Sequence, residues 1–374
     1  MMSYLRRQVA NRDVNVTDVD VEAPLLRRVS RTQGLRLAML AAGIGGILLF
    51  VFSVRAAGAA GVFEGVSRVG WWFVVFWSLG GIRYVLRAVA WRMCFDDPRR
   101  MPLGAAFGAS VIADALGNVT PFGALISESA KVALVRRRLG AGTTIPAVTI
   151  ENLFYVASVV IVLVGGTIAL LLSFDVGIAL RRATYVTLGV AIVFGLLSFV
   201  VLVRRVRIAS AVLAALEVWP HLQGAIESWR VQVRGIEDQV FGFLSRHPRR
   251  VLPLLTLEAA YHAAGMLEIW IALALITGGS IGFVTAFVLE FVNRTITVAF
   301  QFVPMWLGVD EAGTGVVTTA LHLGAAAGIG LALVRKARIV VWTGLGLGLF
   351  VMSRSWTRTS DRGDPAGYLT RIAD

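Results

Sequence analysis

Two short stretches of the sequence combine an amide, a proline and a carboxylate at matching distances. In the first, Pro121 follows Asn118 by three positions and precedes Glu128 by seven. In the second, Pro304 precedes Glu311 by seven positions, and an amide again stands three positions before the proline. Proline interrupts a helix locally, and the backbone groups that it frees cannot face lipid. The spacing therefore predicts two broken helices with polar side chains at the breaks.

Each break is followed at a similar distance by another charged residue, Glu151 in one case and Arg335 in the other. Ionisable side chains within apolar segments are rare and costly, which makes them candidates for function. Arginine can bind phosphate through two parallel hydrogen bonds. The glutamates could bind an amine, pair with the arginines or carry protons. The candidate substrate-binding residues are Asn118, Pro121, Glu128, Lys131, Glu151, Pro304, Asp310, Glu311 and Arg335.

Two further pairs of ionisable residues lie one helical turn apart. Glu290 and Arg294 are predicted to form an ion pair on one helix face. Arg83 and Arg87 have no acidic neighbour in the sequence, so they need distant partners or a lipid phosphate. These two arginines are therefore secondary candidates for the site.

Glu258 and His262 share a helix face at a spacing that metal ligands use, and they are also secondary candidates. Two ligands are too few for a zinc site, so we expect a pore-lining pair, with a proton relay left open. The sequence contains no P-loop, H-E-x-x-H or G-x-S-x-G motif. We predict no metal site, no cofactor and no catalytic residue.

The composition indicates what kind of elements hold these side chains. Of 374 residues, 57% are hydrophobic and only 16% are charged, against about 25% in an average soluble domain. The mean hydropathy is +0.74. These values exclude a disordered chain and argue against a soluble enzyme. A nucleic-acid binder would explain the net charge of +13 but not the apolar bulk. We therefore expect an all-α polytopic membrane protein without a nucleic-acid partner.

Six apolar stretches are long enough to cross the hydrocarbon core, which takes about 20 residues of helix. The full spans are expected at 37–54, 70–91, 145–174, 183–203, 251–278 and 325–352. The two stretches that contain the prolines, 103–134 and 281–323, are predicted to be re-entrant hairpins.

The membrane domain is expected at 35–353, between polar cytoplasmic tails at 1–34 and 354–374. The N-terminal tail does not have the pattern of a cleavable signal peptide. The connection at about 204–250 has helical periodicity. It either lies along the membrane surface or forms a cytoplasmic helical hairpin.

The distribution of basic residues gives an orientation. With the N-terminus inside, 26 of the 36 Lys and Arg residues face the cytoplasm, 4 face outside and 6 lie at membrane depth. This asymmetry predicts that both termini are cytoplasmic. One hairpin then opens inward and the other outward, as in an inverted-topology repeat with halves at about 103–174 and 281–353. Such repeats place helix ends around a central site that suits a charged headgroup.

The sequence at the two breaks resembles a known family. N-V-T-P at 118–121 and E-S-A-K at 128–131 are similar to the N-x-x-P and E-x-x-K/R signatures of the lysylphosphatidylglycerol synthase transmembrane-region family. P-M-W-L-G-V-D-E at 304–311 resembles its P-G-G-L-G-x-x-E signature, with Met305 and Trp306 in place of the paired glycines. The similarity extends over roughly residues 35–353.

The resemblance implies a flippase that moves a phospholipid or a polyprenyl-phosphate-linked lipid between the leaflets of a prokaryotic plasma membrane. About 22 residues follow the last expected span, too few for the aminoacyl-transferase domain of the bifunctional synthases, so we expect no synthase activity. Two alternatives stay open. One is a membrane-embedded lipid-dependent transferase with Glu128 or Glu311 as a base, and the other is an ion-coupled small-solute transporter. The sequence also leaves a homo-oligomer open.

Overall fold

A computed structural model describes residues 33–216 and 223–360, which form thirteen α-helices and contain no β-strand. The first seven are α1 Gln33–Ala57, α2 Ala59–Ser67, α3 Phe73–Met93, α4 Leu103–Asn118, α5 Gly123–Leu139, α6 Ala141–Ser173 and α7 Ile178–Val203. The other six are α8 Ile208–Leu216, α9 Gln223–Arg246, α10 Pro248–Thr277, α11 Phe283–Ala299, α12 Val309–Ala320 and α13 Ala325–Ser360. The helical class predicted from the sequence is confirmed, whereas most of the two tails lies outside the described residues.

Four segments in the described part of the chain are long and apolar enough to cross a membrane: Gly70–Met93, Ala141–Ser173, Ile178–Val203 and Pro248–Thr277. A fifth crossing arises if Ile47–Ala57 and Ala59–Ser67, which meet at an angle of 90°, are counted as one bent span. Gly58 makes the bend possible because its φ of 84° is accessible to glycine without strain. The expected count of six full spans stays a prediction.

The first break separates α4 from α5 at residues 119–122, next to the predicted proline. Gly117 and Gly123 face each other so closely that a Cβ atom on either would collide with the backbone of the other. Phe122 adopts a left-handed conformation with φ 55° and turns the chain into α5. Across the break, the Ser127 hydroxyl donates to Asp114 at 2.7 Å.

The second break separates α11 from α12 at residues 300–308 and contains the other predicted proline. The Glu311 carboxylate accepts a hydrogen bond of 2.7 Å from the backbone N–H of Gly308, which satisfies one of the free donors at the start of α12. The backbone N–H of Phe122 donates to the carbonyl of Gln301 at 3.0 Å, so the two breaks touch. Both breaks occur where the sequence predicts them.

Each hairpin packs against the long helix that follows the other hairpin in the chain. The first helix of the first hairpin, α4, packs against α13, and the first helix of the second hairpin, α11, packs against α6. Gly346 lets α13 approach the backbone of α4, and Gly166 lets α6 approach Phe291 of α11. Helices α3 and α10 pack against each other beside this crossing. The polar side chains of both hairpins are thereby brought into one region.

The connection between the two halves contains α8 and α9, which pack against each other. Arg207 forms an ion pair of 2.7 Å with Asp238, and the Ser210 hydroxyl donates to Glu237. Helix α9 also packs on α6 and α10. This arrangement favours the interpretation of a helical hairpin for the segment at 204–250.

Candidate functional site

A cavity of about 130 Å³ lies where α3, α4, α10, α11 and α13 meet. Its charged lining consists of five arginines and two aspartates, a net charge of +3: Arg83, Arg87, Arg294, Arg335, Arg338, Asp114 and Asp310. A cavity of this volume holds on the order of ten water molecules, whereas drug-sized ligands occupy roughly 300–1,000 Å³. The space therefore fits a polar headgroup but not hydrocarbon chains.

Glu268 holds two of these arginines from different helices. Its carboxylate accepts from Arg338 Nε at 2.7 Å and lies 3.7 Å from Arg83 Nη1. Glu268 is 1% exposed and does not line the cavity. The distant partner that the sequence required for Arg83 is therefore a carboxylate on α10.

Arg87 is held by a second buried carboxylate, Glu151. Arg87 Nε donates to Glu151 at 2.8 Å, and Lys131 Nζ reaches the other carboxylate oxygen at 3.3 Å. Lys131 also donates to Glu128 at 3.1 Å. Four predicted residues on three helices thus form one network, of which only Arg87 lines the cavity.

The predicted pair on α11 is confirmed, since Arg294 Nε donates to Glu290 at 2.7 Å. Arg294 Nη1 also donates to the Tyr155 hydroxyl at 3.2 Å. Glu290 lies 3.3 Å from His262 Nδ1, and the other ring nitrogen of this histidine lies 3.1 Å from the Ser158 hydroxyl. Two of the three guanidinium nitrogens of Arg294 are therefore engaged within the protein.

The residues predicted to be a pore-lining pair lie outside the lining of this cavity. His262 instead orients the carboxylate on α11, as described above. Glu258 is 1% exposed, and neither of its carboxylate oxygens has a hydrogen-bond partner within the described ranges. The two residues lie one helical turn apart, as predicted, but of the two only His262 has hydrogen-bond partners within the described residues.

Arg335 has two buried guanidinium nitrogens without a hydrogen-bond partner, whereas Arg83 and Arg87 have one each within the described residues. Nη2 of Arg335 donates to Asp310 at 2.7 Å and to Thr314 at 3.0 Å. Nε and Nη1 are buried and have no hydrogen-bond partner in the part of the chain that the structure describes. Next to it, Lys336 pairs with Glu311 at 2.8 Å without lining the cavity.

Three of the arginines lie close to the aromatic ring of Tyr261. The guanidinium carbons of Arg83, Arg294 and Arg87 lie 4.3, 5.5 and 5.9 Å from the ring centroid. Each contact is within the range of a cation–π interaction. Sequence reasoning did not select Tyr261, because its role depends on helices that are remote along the chain.

The structure divides the sequence candidates into two groups. Those that line the cavity are Arg83, Arg87, Asn118, Asp310 and Arg335. Those that lie outside its lining are Pro121, Glu128, Lys131, Glu151, Glu258, His262, Pro304 and Glu311. Polar lining residues that were not among the candidates are Tyr84, Asp114, Tyr261, Asn293, Arg294, Thr297, Trp306 and Arg338. Asn118 is oriented by a hydrogen bond of 3.0 Å to Thr343 on α13.

This arrangement can bind an anion. Arginines from α3, α11 and α13 converge on one small cavity, and their fixed geometry suits the oxygens of a phosphate or carboxylate. Four of the five carboxylates that hold these arginines, Glu128, Glu151, Glu268 and Glu290, are excluded from the cavity lining. The positive ends of the ion pairs therefore face the space that a ligand would enter.

Comparison with known proteins agrees with a membrane protein related to lipid handling. Residues 37–348 match the family described as the lysylphosphatidylglycerol synthase TM region. No curated protein and no solved structure matches the chain. The match covers more than half of the sequence and includes both breaks and every residue that lines the cavity. The chain therefore belongs to the family of the lysylphosphatidylglycerol synthase transmembrane region.

Proposed function

We propose that the protein is a lipid flippase that moves a polar or phosphate-bearing headgroup between membrane leaflets through the cavity. The observation that carries this proposal is the convergence of five arginines on a small cavity within an apolar helical protein. The family points in the same direction, since its description concerns a lipid synthase. In this proposal the protein is a transporter and does not make or break covalent bonds.

The energetic obstacle to lipid movement is the headgroup. An ionised group that leaves water without a partner loses tens of kcal/mol of solvation in an idealised apolar medium, so it does not cross on its own. The arginines that line the cavity replace this lost solvation with charge-assisted hydrogen bonds. The cavity is too small for acyl or prenyl chains, which stay in the bilayer. A headgroup-sized polar space in an apolar protein supports lipid transport.

The packing of the hairpins supports an inverted repeat with alternating access. If the two halves are repeats, α4 corresponds to α11 and α13 corresponds to α6. The contact of α4 with α13 then corresponds to the contact of α11 with α6, and both contacts exist. Under the same correspondence α3 and α10 take each other's place, so their mutual contact is preserved. In the proposed mechanism, one half rocks against the other around the cavity and opens it to each leaflet in turn.

Reconstitution into liposomes tests the function directly. Lipids with a fluorescent label on an acyl chain are placed in both leaflets, and an impermeant quencher reports how fast inner-leaflet lipid reaches the outer leaflet. We expect transfer of anionic lipids well above that in protein-free vesicles. Rates equal to those of empty vesicles for every lipid would refute the proposal. Uptake of a small solute without lipid movement would instead favour the solute-transporter alternative.

A further inference from the structure

The charges around the cavity are arranged with a definite polarity. Arg87 is held by Glu151, Arg294 by Glu290, and two other arginines by Glu268, and none of these three carboxylates lines the cavity. The carboxylates stabilise the arginines in the membrane interior but do not face a ligand. The charge that the ligand meets is therefore that of the lining, a net +3.

Hydrogen-bonding groups show the same polarity. Among the described residues, Nε and Nη1 of Arg335, Nε of Arg83 and Nη2 of Arg87 are buried without a hydrogen-bond partner, although the last lies 2.6 Å from the carboxylate of Glu151. The two lining aspartates already accept hydrogen bonds, Asp310 from Arg335 and Asp114 from Ser127. The arginines of the lining therefore keep hydrogen-bonding capacity that the described residues do not use, whereas each lining aspartate accepts at least one hydrogen bond.

Among the described residues, the buried carboxylate oxygens without a hydrogen-bond partner lie outside the cavity lining. They belong to Glu258, Glu290 and Glu311, and none of these residues lines the cavity. A headgroup amine in the cavity would find the two engaged aspartates and five arginines. A phosphate would find an excess of guanidinium groups over carboxylates.

We propose that the headgroup is a net anion with a phosphomonoester or diphosphate group, and that the cavity discriminates against cationic aminoacylated headgroups. This inference rests on the proposed function and names its substrate class. A phosphomonoester carries about −1.5 to −2 charges at pH 7, which the lining charge can balance. An aminoacylated headgroup adds positive charge to a cavity that already has an excess of it. The same phosphate chemistry could come from free inorganic phosphate, which the experiment must separate from lipid.

The test uses the full chain in phosphatidylcholine vesicles and four acyl-labelled lipids with identical chains. They are phosphatidic acid, phosphatidylglycerol, phosphatidylcholine and lysylphosphatidylglycerol, whose headgroups run from dianionic to cationic. We expect phosphatidic acid to be transferred at least about tenfold faster than lysylphosphatidylglycerol, the factor that a free-energy difference of 1.4 kcal/mol gives. Equal rates, or a faster cationic lipid, would overturn the inference while leaving lipid transport intact.

A binding measurement separates the failure of this inference from the failure of the proposed function. Trp306 lines the cavity, so the intrinsic fluorescence of the detergent-solubilised protein can be titrated with short-chain versions of the same lipids and with inorganic phosphate. Tighter binding of phosphatidic acid without any transfer supports the inference and refutes the flippase. Saturation by inorganic phosphate at equal affinity, with phosphate uptake into vesicles, assigns the site to the free anion and overturns a lipid headgroup. Tightest binding of the cationic lipid overturns the inference even if nothing is transported.

Isosteric substitutions on the lining change the charge in both directions. Asn293→Asp adds a negative charge to the lining, and Asp114→Asn removes one. We expect the ratio of phosphatidic acid to phosphatidylcholine transfer to fall several-fold in the first variant and to rise in the second. Asp175→Asn, at an exposed ion pair with Arg181, is the matched control because it changes the charge by the same amount outside the cavity, and it should leave the ratio unchanged. Identical ratios in all three folded variants would show that the lining charge does not select the headgroup and would overturn the inference.

Discussion

Replacing Arg335 by lysine tests the two guanidinium nitrogens that the protein leaves unused. Nη2 of the arginine donates hydrogen bonds to Asp310 at 2.7 Å and to Thr314 at 3.0 Å, whereas Nε and Nη1 have no partner among the described residues. Lysine keeps the positive charge and can still pair with Asp310, so the buried carboxylate is not left alone. What the substitution removes is the planar guanidinium with these two further N–H positions, which lysine cannot reproduce.

The expected loss follows from the strength of such bonds. A hydrogen bond to a charged group contributes about 1.5–3 kcal/mol, so the loss of one or two partly replaced bonds should cost about 2–3 kcal/mol of binding. This corresponds to a roughly 30- to 150-fold weaker affinity for short-chain phosphatidic acid. Tryptophan fluorescence titration measures the affinity, and thermal unfolding in the same detergent measures the stability. The midpoint of unfolding should move by only a few degrees.

Arg294→Lys provides the contrast within the same cavity. Its Nε and Nη1 already donate to Glu290 and Tyr155, so lysine there should reduce the unfolding midpoint more than the affinity. Arg181→Lys, at the exposed pair described above, should change neither. An Arg335→Lys protein that binds phosphatidic acid within twofold of the original and unfolds at the same temperature would refute the reasoning, because the free nitrogens would then not face the ligand.

Three further outcomes are expected. Gly346→Leu should reduce the unfolding free energy by about 1–3 kcal/mol, since any Cβ atom there collides with α4, whereas Gly344→Leu has open space and should leave it unchanged. In a cysteine-free background, Arg182→Cys should react with an impermeant maleimide from outside, and Arg204→Cys only after permeabilisation; the reverse pattern would contradict the predicted orientation. The Trp306→Gly substitution should leave the unfolding midpoint unchanged or raise it, while the discrimination between headgroups falls. Unchanged discrimination would show that the Trp306 side chain does not select the headgroup.

Local features of the site could be predicted because they depend on neighbours in the sequence. The two breaks follow from Pro121 and Pro304, which cannot continue the hydrogen-bond pattern of a helix. The ion pair of Glu290 and Arg294 follows from their spacing of one turn. In each case the information lies within about seven residues of the feature that it determines.

The shared partners could not be predicted, since they join remote parts of the chain. Glu268 on α10 holds Arg83 on α3 and Arg338 on α13, which are separated by 185 and 70 positions from it. Tyr261 contacts arginines of α3 and α11 for the same reason. Hydrophobic periodicity identifies each helix but does not say which helices become neighbours or how they are rotated. Helical packing alone decides which carboxylate meets which arginine.

The boundaries of two elements also depend on more than hydropathy. The sequence predicts the last span to end at 352 and a polar tail from 354, but α13 continues to Ser360. Polarity indicates where a segment leaves the apolar core, whereas a helix can continue through polar residues beyond that point. At the other end of the domain, a single glycine between α1 and α2 allows a bend of 90° that an uninterrupted apolar run does not suggest.

The backbone at Met305 and Trp306 has the conformation that the paired glycines of the family signature favour. Both residues adopt left-handed conformations, with φ of 52° and 51°, where the family signature has two glycines. Such a conformation costs roughly 1–2 kcal/mol for each residue other than glycine, so the surrounding structure must hold it in place. The Trp306 ring donates to the carbonyl of Thr297 at 3.2 Å, and the Trp306 carbonyl accepts from Lys336 at 3.3 Å. These bonds hold a large aromatic side chain against the cavity, where two glycines would leave open space. The chain therefore retains a strained backbone at a residue that lines the cavity, and in the proposed transport we expect this residue to affect which headgroups are accepted.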